Sequence, residues 1–110
     1  MVCVLGEGSA QYGITALRTA AALRLPVTFL VLANQEYSIL KWFAALEQVT
    51  GAPGLNLPEL DVAAVARAYG VPSRDVVGPE EVTAALRQDI AAQDGPRLVQ
   101  VRVAPGMWLE

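Results

Sequence analysis

Two short segments of the chain hold the polar residues best placed for chemistry. Gly6-Glu7-Gly8-Ser9 follows the apolar run VCVL (residues 2–5), and Ala33-Asn34-Gln35-Glu36 follows VTFLVL (residues 27–32). Each leaves the carboxyl end of an expected strand and precedes an expected helix, and open parallel sheets bind ligands at those ends. The free N–H groups and dipole of a helix start favour an anion such as phosphate. Glu7 and Asn34 would bring together a carboxylate and an amide oxygen, hard ligands suited to Mg²⁺ or Ca²⁺, with phosphate oxygens and water completing the shell. The pair therefore reads as a metal-bridged diphosphate site. Taken singly, each turn reads more simply as an ordinary strand–helix connection with solvated polar residues.

Other chemistries fit less well. The dinucleotide fingerprint G-x-G-x-x-G fails at Gln11, Gly13 lies two residues further on, and no acidic residue closes the second strand. The phosphate-loop signature is absent, since no lysine precedes Lys41. The chain has no histidine, which removes imidazole triads, histidine-bound metals and imidazole acid–base catalysis from within it.

The elements that must position the two turns follow from periodicity and punctuation. VCVL reads as a buried strand, and Gly6 to Ser9 as a turn of residues that tolerate positive φ. Ser9 is expected to cap a helix over residues 10–23, stopped by Pro26. VTFLVL lacks polar alternation and should be buried on both faces, as in a parallel sheet. A helix is expected over 37–48, with Leu40, Phe43 and Ala44 on one side, then a loop over 50–58 pivoting on Gly51, Pro53 and Gly54. Asp61 should cap a helix over 62–69 that ends at Gly70. A short strand over 75–77, a helix opened by Pro79 with Glu80 and Glu81 in its first turn, and a strand over 97–103 complete the order β-α-β-α-α-β-α-β. Alternation of this kind implies a parallel sheet covered on both faces.

Bulk properties bound the rest. The 110 residues make one domain, and the net charge of −3 argues against a nucleic-acid partner. Hydrophobic residues are 54% and charged residues 17%, the latter against a usual value of about 25%. So small a body cannot hide that much apolar surface, which points to a partner or to further chain. The longest greasy stretch, residues 20–33, is 14 residues long and contains Arg24 and Pro26, too short to cross a membrane, where about 20 are needed. The start has neither the basic residues nor the cleavage site of a secretory signal. The single cysteine, Cys3, fits a reducing compartment, hence the cytoplasm, and reads as a small core residue. Trp42 and Phe43 read as packing or interface residues, Arg18 as a solvated or interface charge, and Glu80 and Glu81 as helix-start charges. Trp108 is left without a place, and Leu109 and Glu110 without a function.

At these residues the sequence resembles a known family. Gly6-Glu7-Gly8, then 24 residues, then Ala33-Asn34 is similar to the thiamine-diphosphate motif Gly-Asp-Gly…Asn-Asn. The flanks VCVLGEGSAQYGITALRTAA, LPVTFLVLANQEYSILKWF, GAPGLNLPELD, ARAYGV and GPRLVQVRV follow the C-terminal cofactor-binding domain of benzoylformate decarboxylase-like enzymes in order and spacing. The resemblance implies a three-layer α/β/α sandwich with a mostly parallel sheet, here an incomplete thiamine-diphosphate-binding fold. It implies thiamine diphosphate held through Mg²⁺, with Glu7, Asn34 and the backbone carbonyl of Glu36 as metal ligands. The Glu36 side chain need not matter in that role. Gly6, Gly8 and Ser9 would meet the diphosphate, and Tyr12, Tyr37, Ser38 and Ile39 would line its path to the thiazolium. Two residues depart from the pattern: Glu7 is one methylene longer than aspartate, and Ala33 lacks the amide of the first asparagine.

The resemblance further implies that residues 1–110 are the C-terminal part of a longer 2-oxo acid decarboxylase. The family's activating glutamate lies in an N-terminal domain. The chain is thus expected to hold no catalytic residue and to be inactive alone, with a 2-oxo acid substrate only in a complete enzyme. It is expected to pair with an N-terminal domain or with a second copy of itself. An acetolactate synthase-like carboligase domain, and a non-catalytic assembly module with a decayed cofactor site, are the alternatives.

Overall fold

The computed structural model describes residues 1–106. Four strands form one sheet: β1 (Val2–Gly6), β2 (Thr28–Ala33), β3 (Ser73–Val76) and β4 (Arg97–Arg102), in the spatial order β1-β2-β4-β3. Every pairing is parallel, with Gly6 opposite Leu32, Val31 opposite Gln100 and Val76 opposite Val101. The expected fold class holds. The helices are α1 (Glu7–Ala10), α2 (Ala16–Ala22), α3 (Ser38–Leu46), α4 (Val62–Ala68) and α5 (Gly78–Ala92).

The strand register sorts apolar side chains to two faces. On one, Val31 and Leu98 pack with Ala10 of α1, Leu17 of α2, and Val62, Ala63 and Ala66 of α4. On the other, Val99, Val101 and Val76 pack with Ala85 of α5, flanked by Leu30, Val82 and Leu86. The second face is covered only in part. Val2, Val4 and Leu32 lie on it beyond the reach of α5 and remain 40%, 59% and 37% exposed, so the burial expected of VCVL, and of both faces of VTFLVL, fails on this face for want of a covering helix. The surplus of apolar residues is therefore real surface, and α3 adds to it: of its residues only Ser38 is buried, while Ile39, Leu40, Phe43 and Leu46 are exposed.

Some expected boundaries shift for physical reasons. The stretch 10–23 is not one helix. The chain stays right-handed, but residues 11–13 tighten into a 3₁₀ turn around Gly13 before α2 begins. Glycine in a helix interior costs about 1 kcal/mol relative to alanine, and a Cβ at Gly13 would meet nothing within 4 Å, so no close approach requires glycine there. Ser9 caps nothing. The helix starts three residues earlier, at Glu7, with Gly6 as its extended N-cap. Neither Gly6 nor Gly8 has positive φ, so the freedom expected of this turn is unused. Strand β3 starts at Ser73 rather than 75, and α3 starts at Ser38.

Two buried polar groups anchor the side of the sheet away from β1. Gln100, 1% exposed, turns Oε1 to the N–H groups of Val62 and Ala63 at 3.1 and 3.3 Å, and donates from Nε2 to Asp61 and Asp75 at 3.2 and 2.7 Å. It thereby serves orphan donors at the start of α4. Asp89 on α5, 4% exposed, is paired with Arg74 at the start of β3, and Arg97 at the start of β4 lies 3.9 Å away. Cys3 is a half-buried side chain lining an apolar cleft of about 220 Å³ beneath α1 and α2. Trp108 lies outside the described residues.

The N-cap expected at Asp61 is present: its Oδ1 accepts from Ala64 N–H at 3.1 Å. That bond holds the Asp61 carboxyl below its ordinary value of 3.8 against the opposing effect of burial, helped by Gln100, Arg67 and Arg102. A depressed folded-state pKa stabilises the fold at pH values above 3.8 and ceases to do so as pH falls through that range. Asp61→Ala should therefore lose about 1 kcal/mol at pH 7 in urea unfolding. The gap between the two chains should narrow below the ordinary carboxylate range.

Candidate functional site

The parallel pairing of β1 and β2 aligns their carboxyl ends, because Gly6 lies opposite Leu32. The two polar segments thus leave the sheet side by side, although 28 positions separate Glu7 from Gln35. Glu7 is 1% exposed. A buried carboxylate is costly unless hydrogen-bonded. Its Oε1 accepts the backbone N–H of Gln35, and its Oε2 faces Gln35 Nε2 at 3.3 Å. As the first residue of α1 it also sits at the end of a helix that favours negative charge.

Gln35 adopts the left-handed conformation, φ 64°. That kink turns the chain from β2 toward α3 and presents its N–H to Glu7. The following loop secures it from the other side. Leu57 N–H donates to Gln35 O at 2.8 Å, Tyr37 N–H to Leu55 O at 2.9 Å, and Glu36 bridges Asn56 antiparallel. The loop expected over 50–58 is thus a brace for the site.

The Asn34 carboxamide lies between the two turns. Its inner atom is 2.8 Å from the Glu36 carbonyl oxygen and 3.3 Å from Glu7 Oε1, and its outer atom is 2.8 Å from Ser38 Oγ. With nitrogen inward, it donates to both oxygens and its Oδ1 accepts from Ser38 Oγ. With oxygen inward, Nδ2 donates to Ser38 Oγ, and Oδ1 accepts weakly from Glu36 N–H at 3.4 Å. In that orientation a carboxylate, an amide oxygen and a peptide oxygen converge. Neighbouring ligands around an octahedral Mg²⁺, with bonds of about 2.0–2.1 Å, stand about 3 Å apart, so the donor set fits the ion. The extra methylene of Glu7 does not keep its carboxylate from this point. Among the described residues no group of three or more acidic, cysteine or histidine side chains could hold a metal, so any cation here leans on neutral oxygens.

Around this point opens a cleft of about 330 Å³, lined by Gly6, Glu7, Gly8, Ser9, Asn34 and residues 36–39 on the two turns. Leu32 and residues 103, 104 and 106 close its other side. Gly8 is needed for space. A Cβ there would stand 2.5 Å from Cε1 of Tyr37, whose ring lies against the turn and whose hydroxyl accepts from Gln11 Nε2 at 3.0 Å. The N-terminus of α3 points its first N–H groups from the Tyr37–Ser38 junction, with no side chain capping them. Of the residues singled out from sequence, the structure brings together Gly6, Glu7, Gly8, Ser9, Asn34, Glu36, Tyr37, Ser38 and Ile39. Tyr12 is not among them: it lies in the 3₁₀ turn, 86% exposed. Gln35 is the residue that sequence reasoning passed over. Its contribution is a backbone N–H in a left-handed kink, and no side-chain motif announces that.

A parallel sheet with helices on both faces and an oxygen-lined cleft at two adjacent strand ends defines an α/β cofactor-binding domain. The chain belongs to the family described as the thiamine pyrophosphate enzyme C-terminal TPP binding domain, whose pattern matches residues 1–101. Benzoylformate decarboxylase of Pseudomonas aeruginosa is 46% identical over 101 residues, covering 92% of this chain and 19% of that protein. The crystal structure of benzoylformate decarboxylase from Polynucleobacter necessarius superposes with a TM-score of 0.93 at 34% identity, over 99% of this chain and 20% of that one. The thiamine diphosphate-dependent 4-hydroxybenzoylformate decarboxylase of Rhodococcus jostii RHA1 gives 0.89 at 38% identity, over 94% and 19%. The chain thus spans about a fifth of the length of the relatives it matches.

The Glu7–Gln35 tie makes a direct prediction. Glu7→Ala leaves the half-buried Gln35 N–H without its acceptor and should cost about 1 kcal/mol. Amide hydrogen exchange at Gln35 should accelerate well beyond that of the neighbouring β2 amides. Glu7→Gln, which keeps an acceptor, should retain most of the protection.

Proposed function

We propose that this chain is the thiamine-diphosphate- and Mg²⁺-binding part of a 2-oxo acid decarboxylase resembling benzoylformate decarboxylase. The observation that carries the reading is the convergence of Glu7, the Asn34 amide and the Glu36 carbonyl at the ends of two adjacent parallel strands. Glu7, Asn34 and the carbonyl of Glu36 would hold Mg²⁺. Gly6, Gly8, Ser9 and the free N–H groups at Ser38 and Ile39 would receive the diphosphate, where a helix N-terminus favours anionic oxygens. Tyr37, packed on Gly8, would wall the cleft on the path to the thiazolium. Once bound, thiamine diphosphate supplies the carbanion-stabilising chemistry, and the protein supplies binding and orientation.

Among the described residues lining this cleft the two carboxylates are committed, Glu7 to Gln35 and the cation and Glu36 to Ser38 and Lys41, and the chain has no histidine. The chain by itself should therefore be inactive toward 2-oxo acids, its substrate entering only in a complete enzyme. The uncovered apolar residues on β1, β2 and α3 suit an N-terminal domain of that enzyme or a second copy of the chain. Neither a nucleic acid nor a membrane is part of this reading. No helix among the described residues is long and apolar enough to cross a membrane, and the proposed compartment is the cytoplasm.

Calorimetry with thiamine diphosphate tests the reading. Binding should require Mg²⁺, vanish with a chelator, and weaken at least tenfold in Asn34→Ala. The chain should show no benzoylformate turnover until an N-terminal partner is supplied. Absence of binding both alone and with such a partner, while a stable complex still forms, would establish an assembly module in place of a cofactor site.

A further inference from the structure

The Asn34 amide faces a choice that the cation alone does not settle. Nitrogen inward gives it two oxygen acceptors, at 2.8 and 3.3 Å, and lets Oδ1 accept from Ser38 Oγ at 2.8 Å as long as the serine proton points that way. Oxygen inward gives it a single strong partner, Ser38 Oγ at 2.8 Å, through Nδ2. A cation site built on Oδ1 therefore needs something on the outer side that favours nitrogen there.

The structure places such a device beside it. Ser38, 9% exposed, has one hydroxyl proton, and its Oγ lies 3.0 Å from Glu36 Oε2. A carboxylate only accepts, and hydrogen bonds to charged acceptors are about twice as strong as neutral ones. The Ser38 proton is thereby drawn to Glu36, leaving Oγ as an acceptor toward Asn34. Glu36 is held in turn. Its Oε1 is 3.4 Å from Lys41 Nζ, which also donates to Asn56 at 2.6 Å, and its backbone bridges Asn56. The polarity runs in one direction: Lys41 fixes Glu36, Glu36 orients the Ser38 hydroxyl, and Ser38 accepts the Asn34 amide nitrogen.

We propose that Ser38 and the side chain of Glu36 are positioning residues that turn Asn34 Oδ1 into the cation site before any cation arrives. The inference rests on the reading of this cleft as a metal and diphosphate site, and it gives the Glu36 side chain a role separate from that of its backbone carbonyl. The relay offsets the loss of the two inner hydrogen bonds, so the amide need not rotate when the ion binds, and binding is favoured by that pre-organisation.

Nuclear Overhauser spectra of the metal-free chain test it, with the backbone amide spectrum checking that each variant is folded. In the wild type the Asn34 Nδ2 protons should show cross-peaks to Ser38 Hβ and none to Glu7 Hγ. In Ser38→Ala that pattern should reverse, and Glu36→Gln should populate both arrangements. Calorimetry with Mn²⁺ and thiamine diphosphate should show affinity lower by tenfold or more in Ser38→Ala and largely restored in Ser38→Thr. Asn34 protons facing Glu7 in the wild type, or an amide unmoved by either substitution, would overturn the proposal. A wild-type chain that takes no Mn²⁺ with thiamine diphosphate defeats the cofactor reading, and the cross-peaks decide the relay by themselves.

Discussion

The structure of the cleft depends on one buried carboxylate. Glu7 reaches from the end of β1 to the backbone N–H of Gln35 beyond the end of β2, and this bond joins turns that the chain separates by 28 positions. Parallel pairing alone brings strand ends level, but it leaves the connections free to diverge. A carboxylate that is 1% exposed does not tolerate such divergence, because losing its donors would leave a charge buried without partners. The cost of burial thus becomes a geometric constraint: wherever α1 starts, the β2–α3 turn must present an N–H to it.

That constraint fixes what lies downstream. Gln35 takes a left-handed conformation, uncommon for a residue with a side chain, and the loop over 55–57 holds it there through backbone bonds on its far side. Helix α3 is set by this turn and by the loop rather than by a core of its own, since of its residues only Ser38 is buried. Sheet packing therefore positions Glu7, and hydrogen bonding positions Asn34, Glu36 and Ser38. The first half of the site is as rigid as the core beneath it. The second half is as rigid as its polar network.

Much of this was legible in the sequence. Unbroken apolar runs such as VTFLVL mark strands of a parallel sheet, though not their full burial, since Leu32 stays exposed, and Pro79 and Asp61 mark helix starts, because those signals come from local chemistry. The convergence of Glu7 and Asn34 was legible too, since it follows from strand order and from resemblance to a family. What could not be read was settled between segments. The early start of α1 follows from the environment of the Glu7 side chain, not from a capping residue. Gly8 is required because of Tyr37, 29 positions away, and not for its own φ. Gln100 reads as a polar interruption of a strand, yet it satisfies two N–H groups at the start of α4.

The Glu36 side chain shows why a resemblance by position can understate a residue. A ligand supplied by a backbone carbonyl places no demand on the side chain at that position, so alignment to a motif assigns it nothing. The hydrogen-bond inventory assigns it a direction instead. Within the Asn34–Ser38–Glu36 chain only Glu36 lacks any donor, and the lysine beside it anchors that end of the series. A series of amphoteric groups has no preferred polarity until one end is fixed, and a carboxylate held by Lys41 fixes it. The opposite end then shows an oxygen toward Glu7, where two further oxygens already face it. The second-half residues thus do for the cleft through proton direction what the sheet does for Glu7 through packing.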